Sequence, residues 1–153
     1  MKHLKYLKYV LIHKWFVMIQ CFKHRLYYRG LKHDISKFFP SEWFPYVNYF
    51  YGESPKDTKS FDIAWLKHQK RNDHHWQWWI LAEDSGNFKT MEMSIDATFE
   101  MVCDWWGASR AQGNGDWQGV FGWYEENQHK MELHPNTRDL VESILKNKGW
   151  KHD

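Results

Sequence analysis

The run Leu31-Lys32-His33-Asp34-Ile35-Ser36-Lys37 sets an imidazole and a carboxylate on adjacent residues. Together they can hold one divalent ion, and the second carboxylate oxygen is free to reach another. A lone His-Asp pair arises often by chance. Here it comes with His13 upstream, with His68, His74 and His75 downstream, and with Asp104. Asp104 stands between Cys103 and Trp105-Trp106, where an unpartnered carboxylate is costly to bury. A metal ion answers that cost; so does an ion pair with a residue such as Arg110. Taken singly, each histidine reads as a surface or hydrogen-bonded residue, and His3, His24, His129, His134 and His152 stay in that class. His68 and His75 share a helix face if their helix continues. If Asn72-Asp73 breaks it, His74 is the better ligand, and both are kept.

The chemistry of such a set is definite. Two divalent ions a few ångströms apart polarise a phosphoryl oxygen and bring the pKa of a bridging water towards neutrality. Nitrogen and oxygen donors suit iron, manganese, cobalt, nickel or zinc. Lys37 falls on the same helix face as Asp34, and its ammonium can balance phosphate charge; the alternative is a solvated lysine. Lys67, Lys70 and Arg71 flank His68 and can recruit phosphate or simply form a wet helix face. Trp76, Trp78 and Trp79 can stack a base or fill a core.

The elements that must position these groups are helical. Leu4, Leu7, Leu11, Trp15, Met18 and Phe22 recur at steps of three and four, which predicts a helix over 2–28 with that stripe inward and His13 at its edge. Gly30 reads as a helix stop. A short helix is expected over 31–39, ended by Pro40. Ser41 then caps a segment 42–50, kinked or interrupted at Pro45. Residues 52–60 read as a loop, 61–71 as a helix and 74–81 as helix or strand. Residues 83–90 read as a loop, and 95–111 as a strong helix capped by Ser94. Phe99, Val102, Cys103 and Trp106 point inward from it. A flexible turn over 112–119 leads into a helix starting at Trp117 or Val120 and ending at Lys130. Asn136 starts a last helix, 137–148, ended by Gly149. The class is all-α, a single domain across 1–153.

Composition sets the bounds. Hydrophobic residues make up 42% and charged residues 26%, ordinary for a globular chain, while aromatics reach 19% with 11 Trp. A net charge of +2 gives no argument for a stable nucleic-acid partner. The longest apolar run, Trp15 to Ile19, is too short to span a bilayer, and no small-residue cleavage site follows it. No membrane partner is expected. Cys21 and Cys103 form no framework and read as buried, reduced thiols of a cytoplasmic protein.

The order His13, His33-Asp34, His68, His74-His75, Asp104 on successive helices resembles the HD-domain superfamily of metal-dependent phosphohydrolases. The Leu31–Lys37 run is similar to that superfamily's His-Asp motif with its following lysine. With Ala64–His68, Asn72–Trp76 and Asp104-Trp105, the chain looks closer still to an uncharacterised family of small proteins from phage and bacterial genomes. The likeness runs from about His13 to Trp106. It implies a helical bundle of the HD-domain type, with His13, His33, Asp34 and Asp104 on a first metal. Asp34 would bridge to a second, held also by His68 and by His74 or His75. The glycine-rich signature of the superfamily's cyclic-dinucleotide hydrolases is missing, since Trp76-Gln77-Trp78-Trp79 stands there. The implied activity is hydrolysis of a small nucleotide or related phosphate ester, with Asp34 and Lys37 catalytic. Two rivals remain. One is a di-iron oxygenase of the same superfamily. The other is a non-catalytic module binding a nucleotide or protein, with the aromatics of 39–51 as its contact patch.

Overall fold

Two helices carry the fold: α1 (Lys2–Lys23) and α5 (Ile95–Ala111) lie against each other and bring distant donors into register. They are seen in a computed structural model that describes residues 1–113 and 115–147. The crossing is close at Gly107, where an added Cβ would stand 2.3 Å from Val17 Cγ2. Between these helices in the chain come α2 (Tyr27–Lys32), α3 (Pro40–Tyr51) and α4 (Thr58–Arg71), and after them α6 (Trp117–Asn127) and α7 (Pro135–Lys146). The only strands among the described residues, β1 (Ile80–Ala82) and β2 (Phe88–Thr90), form a small antiparallel hairpin with Ile80 opposite Thr90. The class is all-α.

The expected stripe of α1 is not the buried one. Leu4, Leu11, Trp15 and Phe22 are exposed and Leu7 and Met18 half-buried, whereas Tyr6, Val10, His13, Val17, Gln20 and Cys21 are buried. Both stripes obey the helical period, so periodicity alone could not choose between them. The second one sets Val17 against Gly107 and turns His13 inward, to the core rather than its edge.

Other boundaries move for local reasons. α1 ends at Lys23, short of Tyr28, because Arg25 takes a left-handed φ of 61° and the chain turns into α2. Gly30 is no stop: it lies buried inside α2, where an added Cβ would sit 2.9 Å from Cys21 Cβ. The expected helix over 31–39 is broken at His33-Asp34 and resumes only as a 3-10 turn, Ile35–Phe38. α3 starts at Pro40 from an extended Phe39, so Ser41 is not its cap, and it runs on through Pro45. Pro40 suits the first helical turn because its missing N–H has no partner there anyway. Asp57 caps α4 by accepting from Ser60 N at 3.0 Å, which starts that helix ahead of Phe61. α4 stops where Asn72 becomes extended. Residues 74–81 are neither one helix nor one strand but a 3-10 turn, Trp76–Trp79, leading into β1. β2 occupies part of the expected 83–90 loop.

Ser94 caps α5 as expected, accepting from Ala97 N at 3.2 Å. α6 begins at Trp117 and ends at Asn127, with a 3-10 turn completing the stretch to Lys130. His134, not Asn136, caps α7, whose expected end at Lys148-Gly149 lies outside the described residues, as does His152.

Three apolar clusters result among the described residues, the smallest being Val17, Cys21 and Cys103 between α1 and α5. Ala97, Met101, Val120, Tyr124, Val141 and Ile144 join α5, α6 and α7, while Tyr6, Val10, Tyr46, Val47 and Ala64 join α1, α3 and α4. Cys21 and Cys103 are buried free thiols. Among the described residues no helix is long and apolar enough to cross a membrane.

Candidate metal centre

Asp34 sits at the break between α2 and the following 3-10 turn, with φ of 54°. Asp tolerates that left-handed conformation better than most residues. The turn drives its carboxylate into the interior, where the residue is only 1% exposed. Its two oxygens divide four imidazoles between them. Oδ1 lies 3.3 Å from His68 Nε2 and 3.4 Å from His74 Nε2. Oδ2 lies 3.4 Å from His33 Nε2 and 3.6 Å from His13 Nε2. On the α5 side, Asp104 Oδ1 approaches His13 Nε2 at 2.9 Å and His33 Nε2 at 3.3 Å. Donors about 2.1 Å from a shared tetrahedral ion stand roughly 3.4 Å apart, so these spacings suit a cation between them.

Besides a group of His33, His74 and Glu100 on the Nδ1 side, two ligand sets follow, each with its donor atoms within 4.8 Å of one another: His13, His33, Asp34 and Asp104, and Asp34, His68, His74 and His75. Asp34 belongs to both. All seven histidine and aspartate candidates therefore meet in one place. The break at Asn72 brings His74 to Asp34, yet His75 remains in the second set beside it.

The far sides of the imidazoles are held by carboxylates that sequence reasoning missed. Glu100 faces His33 Nδ1 at 2.9 Å and His74 Nδ1 at 3.2 Å, and Glu42 faces His68 Nδ1 at 2.8 Å. A carboxylate at Nδ1 keeps the proton there and leaves Nε2 as a free electron pair. Glu100 is anchored by Arg29 at 2.7 Å, and Arg29 by Asp73 at 2.8 Å. Glu42 is anchored by Arg71 at 2.6 Å and Ser36 Oγ at 2.9 Å. Glu100 was legible, since it stands one helical turn before Asp104 on the same face. Glu42 gave no such signal.

Inside this shell, His68 Nε2, His74 Nε2, His75 Nε2 and Asp34 Oδ1 are buried without a hydrogen-bond partner. Buried polar atoms are nearly always satisfied, and four facing orphans are what a shared cation, or protons on the imidazoles, would satisfy. The residues fit a divalent metal pair. Lys37 reaches the same carboxylate, its Nζ 2.5 Å from Asp34 Oδ2.

The electrostatics agree. Burial disfavours a charged His33, but Asp34 and bonds to Asp104 and Glu100 outweigh it and raise its pKa to about 10. His74 rises to about 9: burial and the His33 charge oppose protonation, while Asp34 and Glu100 prevail. Burial also works against the anions of Asp34 and Asp104, yet the surrounding imidazoles hold both well below the usual carboxylate range. Burial and the charges of His74 and His68 push His75 down. Without metal, protons on His33 and His74 supply the positive charge that the buried carboxylates demand.

Several expected partners lie elsewhere. Arg110 donates to Gly115 O and lies over the Phe16 and Trp106 rings, so it does not neutralise Asp104. Trp76 and Trp79 pack on the α5–α7 core, and Trp78 is partly exposed. His24, expected as a surface or hydrogen-bonded residue, is the latter: it is buried, with its Nε2 3.4 Å from Gln20 Nε2. Arg71 is engaged by Glu42. Of the 39–51 aromatics, Phe39, Phe44 and Phe50 are exposed and Tyr46 is buried.

Two cavities adjoin the centre. One of about 530 Å³ has Lys37 in its wall and is otherwise mostly aromatic, with Tyr6, Tyr46 and Trp65 among its lining. The other, about 370 Å³ and polar, reaches His33 and His74 from the Glu100 side.

An all-helical domain built around one buried carboxylate shared by four imidazoles is the class that fold and site define. The chain belongs to a family of unknown function, DUF5662, which it matches over residues 2–147. Comparison with curated proteins and with solved structures gives no match.

Proposed function

We propose that this protein is a metal-dependent phosphohydrolase acting on a small nucleotide or related phosphate ester through a dinuclear His/Asp centre. The observation that carries the reading is the set of unpartnered Nε2 atoms of His68, His74 and His75 around Asp34 Oδ1, beside the lysine-walled cavity. The likeness of the His33-Asp34 run to the HD-domain motif supports it. His13, His33, Asp34 and Asp104 would hold one ion; Asp34, His68, His74 and His75 the other. When bound, such a pair polarises a phosphoryl group and acidifies a water molecule.

The chain's own groups do the rest. Glu42 and Glu100 fix the tautomer and direction of the imidazoles. Asp34 orients both halves of the centre at once. Lys37 joins Asp34 to the cavity wall, where its ammonium meets a phosphoryl oxygen and offsets the charge that builds there. Lys37 is half-buried, and Asp34 holds its pKa above the ordinary lysine value against the cost of desolvation, so it stays cationic. An anion-binding lysine at this position favours phosphate chemistry over oxygen activation.

The test is elemental analysis of purified protein, followed by a screen of nucleoside mono-, di- and triphosphates and cyclic dinucleotides with added manganese, iron, cobalt, nickel or zinc. Stoichiometric metal and metal-dependent phosphate release are expected. Protein without stoichiometric metal after expression in excess iron or manganese overturns the reading. Tightly held iron with oxygen-dependent turnover replaces it with the oxygenase.

A further inference from the structure

We infer that the substrate is a monophosphate ester of a flat, uncharged ring system, bound with its ring in the aromatic cavity and its single phosphoryl group at Lys37. This rests on the phosphohydrolase reading and specifies the substrate of that same site. The 530 Å³ cavity falls in the size range of small-molecule sites. Lys37 is the one charged residue in its lining. The remaining wall is built from rings such as Phe61, Tyr46 and Trp65, and the Trp65 ring stacks on His68 at 5.6 Å between centroids. The wall thus begins at the metal ligands and runs outward.

Charge decides what can lie against it. A di- or triphosphate chain extending from the centre into this cavity would bury several negative charges against aromatic faces with a single lysine to meet them. Desolvation of that kind is costly. The polar cavity offers no better place. It approaches from the Nδ1 side of His33 and His74, and its arginines are already paired: Arg29 with Glu100 and Asp73, Arg71 with Glu42. Its remaining cation, Lys32, lies over the Tyr28 ring, while Asp73 and Glu100 add negative charge to the same wall.

The second observation points to a ring with polar edges. Tyr6 and Tyr46 line the cavity at 3% and 4% exposure, and both hydroxyls are buried without a hydrogen-bond partner. Burial pushes both phenols up, so they remain protonated and able to donate. A purely apolar ring would leave them unsatisfied; a heterocycle carrying carbonyl or ring-nitrogen acceptors would not. A nucleobase on a nucleoside monophosphate has this chemistry.

The experiment compares three compounds on metal-loaded protein: a nucleoside 5′-monophosphate, the matching triphosphate, and glycerol phosphate. The monophosphate should exceed both others in kcat/KM by at least about tenfold. Binding of the monophosphate is measured alongside by calorimetry, on wild type and on Tyr46→Phe. Loss of the hydroxyl should weaken that binding roughly 3–10-fold, the worth of one hydrogen bond, without changing metal content. Equal or faster turnover of the triphosphate or of glycerol phosphate overturns the inference and leaves the hydrolase standing. If no phosphate ester is hydrolysed, the hydrolase reading fails, and calorimetry alone decides the ligand: binding of the monophosphate that Tyr46→Phe does not weaken overturns it as well.

Discussion

Glu42, wholly buried on α3, stands 2.8 Å from Nδ1 of His68 on α4. That bond decides which imidazole nitrogen faces Asp34. His68 Nε2 is left 3.3 Å from Asp34 Oδ1 with no other partner, so the geometry of the second ligand set depends on a residue that touches no candidate metal position. Glu100 does the same for His33 and His74. The centre is thus a shell of imidazoles clamped from outside by two carboxylates, each tied down by an arginine.

Replacing Glu42 by Gln should therefore weaken metal binding while leaving all ligands in place. The expected loss is about 10–100-fold in affinity, as for other partners behind a ligating histidine. Competition with a chelator of known affinity measures it. An unchanged affinity would mean that His68 needs no orientation from Glu42.

Asp34→Asn keeps the left-handed turn, because asparagine also tolerates positive φ. It removes the charge shared by both sets. Metal content should fall more than in Glu42→Gln, and activity with it, while the helical circular dichroism signal persists. Retention of two ions per chain in this variant would rule out Asp34 as the bridge.

Proton linkage gives the pH dependence. His33 and His74 are raised from an ordinary 6.5 to about 10 and about 9, so their contribution to the metal-free fold is complete below about pH 6.5 and is lost as pH rises through 9 to 10. Asp34, Asp104 and Glu100 are depressed from 3.8, 3.8 and 4.5, so their contribution is present above those values and is lost on acidification. The melting temperature of chelator-treated protein should peak between about pH 4.5 and 6.5 and fall steadily from there to about pH 10. Metal must displace the imidazole protons, so metal affinity should climb from pH 6 to 9. A melting profile that is flat across pH 8–10, or an affinity that falls with rising pH, contradicts this.

Gly107→Ala tests the helix crossing that carries His13 to Asp104. The new methyl would meet Val17 Cγ2 at 2.3 Å and Val17 N at 3.0 Å, so α1 must shift. Overpacking of this kind costs about 1–3 kcal/mol, read from urea unfolding, and metal affinity should drop in parallel. Wild-type stability would show that the crossing has slack.

The orientation of α1 can be checked by a pair of substitutions. Leu11→Gln, on the solvent side, should change stability by no more than about 0.5 kcal/mol, whereas Val17→Ala should cost about 2 kcal/mol for two buried methyl groups lost. The reverse order would restore the leucine stripe to the core.

Much was settled by the chain itself. The donor types, their order and their placement near helices follow from residue identity, and α5 with its Ser94 cap is legible because capping and the 3.6-residue period are local. Two things were not local. α1 carries two stripes with the same period, and only the approach of Val17 to Gly107 selects one. Glu42 looks like an ordinary helix glutamate, and Glu100, though it shares a helix face with Asp104, shows no sign of its imidazole partners until folding sets the two behind His68, His33 and His74, 26 to 67 residues away in the chain. Sequence supplied the donors, because chemistry resides in side-chain identity. Tertiary structure chose the nitrogen each imidazole presents and the carboxylate they share, because those depend on distances that no neighbour along the chain determines.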